Sequence, residues 1–81
     1  MQTTVHFYSY FKELTGCAYT VETLDAGSTL GALHDQLTKK FPKLAAMSKS
    51  TLVAVGVDYH PRDYVLKDGD EVSLFPPVQG G

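Results

Sequence analysis

Eighty-one residues with 43% hydrophobic and 20% charged side chains specify one small folded domain, with no room for a second core. The formal net charge of −2 leaves no basic footprint for nucleic acid, and no apolar run approaches the roughly 20 residues of a membrane span. The single cysteine, Cys17, excludes an internal disulfide framework, and no basic region followed by an apolar segment opens the chain, so the expectation is a cytoplasmic protein without a signal peptide.

Residues Thr3–Ser9 alternate, with Val5 and Phe7 on one face of a strand and Thr4, His6 and Tyr8 on the other. Tyr10–Gly16 reads as a helical turn closed by Gly16. Ala18–Leu24 forms a second strand, on which Tyr19 and Val21 share a face. Asp25-Ala26-Gly27 breaks the pattern, and Ser28 or Thr29 can cap a following helix. That helix carries Leu30, Leu33, Leu37 and Phe41 at spacings of three, four and four, which makes one apolar stripe ended by Pro42. Gly31 in its first turn costs up to about 1 kcal/mol relative to alanine. Lys39, Lys40, Lys43 and Lys49 gather near its end, where positive charge complements the helix dipole.

A third strand is predicted over Thr51–Val57, with Val53, Val55 and Val57 facing the core. Asp58-Tyr59-His60-Pro61 is expected to turn, and a short strand near Tyr64–Leu66 to follow. Lys67-Asp68-Gly69-Asp70 is a turn with its glycine, and Glu71–Phe75 is the last strand. Val72 and Leu74 point inward there, and Ser73 and Phe75 outward. One main helix against one small sheet makes a two-layer α+β domain, with Phe7, Leu33, Leu37 and Leu74 in its core. The same parity turns Tyr8 and Phe75 away from the helix, and Tyr59 sits at a strand end. Scattered exposed aromatics need no explanation, but a cluster of them would be a docking surface.

Residues 1–75 form the domain and 76–81 an extended functional tail. Pro76-Pro77 fixes two φ angles and favours a stiff polyproline II base, from which Val78, Gln79, Gly80 and Gly81 lead to a free α-carboxylate. Six residues reach roughly 20 Å at about 3.3 Å each. A Gly-Gly tip carries no Cβ to obstruct a narrow active site, and its carboxylate is ionised at neutral pH. Ordering those glycines in a cleft costs about 1–2 kcal/mol each, so a docking surface elsewhere is expected to offset it.

Other chemistry is poorly supported. His6, His34 and His60 lack metal-ligand spacing, and Cys17 has no second cysteine nearby, so no metal is expected. Cys17 reads as a small half-buried side chain in a loop. Asp68-Gly69-Asp70-Glu71 lacks the later ligands of a calcium loop, and the chain has no phosphate loop or dinucleotide fingerprint.

The order of elements, Lys12-Glu13-Leu14-Thr15-Gly16 after the first strand, Asp68-Gly69-Asp70-Glu71-Val72 before the last, and the ending Phe75-Pro76-Pro77-Val78-Gln79-Gly80-Gly81 resemble the small subunits of molybdopterin synthase, within the ubiquitin-like β-grasp sulfur carriers. The resemblance implies a mixed sheet of four to five strands on one main helix. It also implies that a partner enzyme uses ATP and magnesium to adenylate Gly81. A sulfur donor protein then converts Gly81 to a thiocarboxylate, and the tail enters the large synthase subunit to build a dithiolene on a pyranopterin precursor. Tyr8, Tyr59 and Phe75 become the partner-binding residues, and the chain itself binds no cofactor. Two other readings stay open: a ubiquitin-like modifier joined through Gly81 to lysines of other proteins, and another thiocarboxylate carrier such as that of thiazole synthesis. A plain interaction domain ranks below these.

Overall fold

Strict alternation of small polar and bulky apolar residues makes the first segment a strand with one buried face. The computed structural model describes residues 1–47 and 51–76. In it Gln2–Phe7 is strand β1, with Thr3, Val5 and Phe7 buried. The short helix α1, Phe11–Thr15, follows and closes on Gly16 at φ +77, as the glycine predicted. Strand β2 is Tyr19–Thr23, helix α2 is Leu30–Lys40, and a 3-10 segment spans Pro42–Met47. Strands β3, Leu52–Val55, β4, Asp58–Tyr59, and β5, Glu71–Phe75, complete a five-stranded sheet of order β2-β1-β5-β3-β4. The sheet is mixed. β1 and β5 pair in parallel at its centre, and the other neighbours are antiparallel. Among the described residues no helix is long and apolar enough to cross a membrane.

Helix α2 lays Leu30, Leu33 and Leu37 into a core shared with Val5, Phe7, Val72 and Leu74, and Phe41 meets Phe7 edge-on at 5.6 Å. Thr29 caps the helix, its hydroxyl accepting from the Ala32 N–H at 3.2 Å. The next free donors, Leu30 N–H and Gly31 N–H, reach the Tyr64 and Arg62 carbonyls at 2.9 and 2.8 Å. Gly31 has a reason here: a Cβ would meet the Arg62 carbonyl oxygen at 3.3 Å.

Three expectations are corrected. The third strand stops at Val55, because Gly56 at φ +62 opens a two-residue turn; Val57 sits at its tip, 96% exposed, not in the core. Asp58–Tyr59 is therefore the returning strand of a hairpin, with Asp58 opposite Val55 and Tyr59 opposite Ala54. Tyr64–Leu66 forms only an isolated bridge, Val65 to Thr29; its backbone covers the start of α2, and Leu66 joins the core.

Two buried polar groups were not foreseen. Glu22, on the inner face of β2, is 3% exposed and accepts hydrogen bonds from Lys40 Nζ at 2.7 Å, Gln36 Nε2 at 2.9 Å and Thr20 Oγ1 at 2.8 Å. Burial raises its pKa, but these three donors, with the Lys40 charge, outweigh burial and hold the carboxyl below its ordinary value. His34, on α2, is also buried, and Arg62 donates to its Nδ1 at 3.2 Å, which requires a neutral ring. Burial and then the Arg62 charge push its pKa down, with Asp35 opposing. Thr3 is different: its hydroxyl is buried and finds no hydrogen-bond partner.

Thr3→Val keeps the shape and removes an unsatisfied group, so it should stabilise the domain by about 1 kcal/mol in urea unfolding. Acid should act in two steps. The unfolded chain takes up both protons at higher pH than the folded domain, so stability is complete above pH 6.5 and declines below it as His34 titrates. A further decline is expected below pH 4.5 through Glu22. Urea midpoints across pH 3–8 check this, and His34→Gln should flatten the upper limb.

Candidate functional site

Strand register places side chains of the outer sheet face in rows. Tyr19 of β2 lies opposite His6 of β1, His6 opposite Ser73 of β5, Ser73 opposite Ala54 of β3, and Ala54 opposite Tyr59 of β4. The small Ser73 and Ala54 form a low centre between aromatic flanks. The next row, toward the end of β5, holds Phe75 opposite Leu52, with Tyr8 just past the end of β1.

Tyr8 and Phe75, turned outward by parity, and Tyr59, expected at a strand end, do come together. Tyr8 stacks on Phe75 with ring centroids 4.8 Å apart and planes 10° from parallel, and Tyr59 meets Phe75 edge-on at 6.3 Å. Tyr8 and Tyr59 are 42% and 65% exposed, and Phe75 is half-buried. The cluster extends further than the sequence reading took it. His6 lies 6.4 Å from Tyr8 and 6.2 Å from Tyr19, and its Nε2 is 3.2 Å from a Glu71 carboxylate oxygen. Tyr19 and Val21 are both strongly exposed on this face. The signal for them was present, since they share the outward parity, but only register shows that β2 lies beside His6.

Pro76, half-buried, follows Phe75 directly. Pro77, Val78, Gln79, Gly80 and Gly81 lie outside the described residues, as does Lys49 of the basic stretch. Of that stretch, Lys40 is engaged with Glu22 and lies over the Phe41 ring at 5.5 Å. Cys17 is half-buried beside Thr15, as its loop position suggested. Among the described residues no cluster of three histidine, cysteine or acidic side chains could hold a metal, and no cavity is present. What the described residues offer, directly before Pro76, is an exposed aromatic face.

The ThiS family model matches residues 5–81 of this chain. The molybdopterin synthase sulfur carrier subunit of Haemophilus influenzae is 34% identical over 79 residues, covering 95% of this chain and 96% of that protein. A solved complex of subunits 1 and 2 of the molybdopterin-converting factor from Helicobacter pylori contains a chain 28% identical to this one, with a TM-score of 0.75 and full coverage of both. The small archaeal modifier protein 1 of Haloferax volcanii shares the fold, with a TM-score of 0.84, 95% of this chain and 98% of that one covered, and 22% identity.

A surface role for the aromatic cluster has a direct consequence for stability. Tyr59→Ser should change the unfolding free energy by less than about 1 kcal/mol, as measured in urea, because most of the ring is in water in the free domain.

Proposed function

The chain belongs to the ThiS family and has the ubiquitin-like β-grasp fold, and on that premise we propose that it is the sulfur carrier subunit of a molybdopterin synthase. One observation carries the reading: Tyr8, Tyr59 and Phe75 assemble into an exposed aromatic face immediately before Pro76, where the chain leaves the sheet toward Gly80-Gly81. The named relatives support it, being a carrier subunit in one case and one half of a two-subunit factor in the other.

The chemistry follows from what a bare carboxylate lacks, a leaving group. An ATP-dependent adenylating enzyme, using magnesium, joins the Gly81 carboxylate to the α-phosphorus of ATP, and pyrophosphate departs. Sulfide-level sulfur, already released from a donor protein, attacks the acyl carbon of the adenylate; the bond to AMP breaks and a thiocarboxylate remains. The carrier then docks on the large synthase subunit through its aromatic face and extends residues 76–81 into the active site. There the sulfur attacks the pyranopterin precursor, water cleaves the acyl–sulfur bond and frees the Gly81 carboxylate, and two such transfers build the dithiolene. The chain supplies a nucleophile and a docking face; acids, bases and the nucleotide pocket belong to its partners.

Incubation with ATP, magnesium, the adenylating enzyme and a sulfur source should exchange one oxygen for one sulfur in the C-terminal peptide, read by intact and peptide mass. Sulfur on Cys17 would sink the assignment, and an isopeptide between Gly81 and a lysine would favour the modifier reading instead. Deleting Gly81 moves the carboxylate back by about 3.3–3.6 Å, and misplacement by ~1 Å can cost about a hundredfold in rate, so dithiolene formation should collapse while the fold is retained.

Phe75→Ala should weaken binding to the large subunit by about 1–3 kcal/mol in calorimetry, the range of a buried interface anchor. Unchanged affinity with a large loss of melting temperature would place Phe75 in the core's service alone.

A further inference from the structure

We infer that the stack of Tyr8 on Phe75, met edge-on by Tyr59, has a task beyond docking: it braces Phe75, the last sheet residue, in one orientation at the start of the run of sequence that leads to Gly81. The inference rests on the sulfur-carrier reading and concerns how the same face serves the reaction.

Strand β5 loses its neighbours unevenly at this end. On one side the pairing with β1 stops at Phe7 and Leu74, and the last backbone hydrogen bond runs from the Tyr8 N–H to the Leu74 carbonyl at 3.2 Å. On the other side Phe75 pairs with Leu52, the first residue of β3. A strand end held by one neighbour frays readily. Two rings make up the loss. Tyr8, from the β1 side, lies nearly parallel to the Phe75 ring, and Tyr59, from β4 on the opposite side, meets its edge at 74°. Both arrangements are ones that aromatic quadrupoles favour.

The backbone turns sharply directly after Tyr8. Ser9, at φ +56, is the one non-glycine residue with a positive φ among the described residues. It turns the chain out of β1 directly after Tyr8, and its carbonyl then accepts from the Lys12 N–H of α1 at 3.3 Å. A left-handed serine is uncommon, and it persists only where the surrounding structure over-determines it.

Docking and bracing make different demands. Docking needs the apolar area of these side chains; bracing needs flat rings in register. Phe75 and Pro76 are the last described residues before Gly81, so their orientation sets where the run to the reactive carboxylate begins. Tyr8 and Tyr59 are therefore positioning residues as well as contacts.

The test compares the parent chain with Tyr8→Leu, which keeps apolar area but loses the stack, and Tyr8→Phe, which keeps the ring. Each is loaded with sulfur and assayed in the complete synthase, with kcat and KM for the carrier measured separately. Three-bond couplings report Phe75 χ1 in each free chain, and amide spectra confirm that the variants are folded. Tyr8→Leu should lower kcat about tenfold with KM largely unchanged, while Phe75 averages over rotamers; Tyr8→Phe should restore both. A change confined to KM, or a single Phe75 rotamer in Tyr8→Leu, overturns the brace and leaves the carrier reading intact. A parent chain that never acquires or delivers sulfur overturns the carrier reading and the brace with it.

Discussion

The parallel pairing of β1 with β5 is the contact on which the remaining structure depends. Val5 lies opposite Val72 and Phe7 opposite Leu74, so the two ends of the domain meet at the centre of the sheet. All four side chains are essentially buried and share one core with the α2 leucines. Because side chains alternate, the same register fixes the other face, putting His6 beside Ser73 and Tyr8 beyond the pairing, next to Phe75. A slip of β5 by one residue would drive Ser73 and Phe75 into the core and expose Val72 and Leu74. Core and aromatic face are two consequences of one register.

A parallel pair cannot be closed by a tight turn, so the intervening chain must cross over and be held down. Helix α2 does this, and polar contacts fix it at both ends. Its start is tied to residues 62–64 by backbone hydrogen bonds and by the Arg62–His34 contact, and its later turns are tied to β2 through Gln36, Lys40 and Glu22. A buried carboxylate with three donors is satisfied, and a buried neutral histidine with a donor on Nδ1 is compatible with its cationic neighbour. β2 is an edge strand, and an inward-pointing charge on such a strand also discourages further strands from adding to it.

Under the carrier reading, this division of labour suits a co-substrate that must engage more than one enzyme. The sheet offers area and orientation, and the Gly80-Gly81 tip carries no side chain. A docking face of tyrosine and phenylalanine supplies contact area at low side-chain entropy cost, which leaves binding energy to offset the ordering of a glycine tip.

Patterns within a few residues of each other were legible in the sequence by itself: the alternation of β1 and β5, the leucine stripe of α2 with its Thr29 cap, the glycine closures at Gly16 and Gly69, the outward parity of Tyr8 and Phe75, and the Phe-Pro-Pro-Val-x-Gly-Gly ending. These are set by backbone sterics and side-chain period, which are local. Tertiary structure decided what depends on distant neighbours. It put Val57 at a hairpin tip where continued alternation had suggested a core position, laid Tyr64–Leu66 over the start of α2, and buried Glu22 and His34 because Lys40 and Arg62 arrive from elsewhere in the chain. It also joined Tyr19 and His6 to the aromatic face, since which strands lie side by side follows from register, and register is a property of the whole sheet.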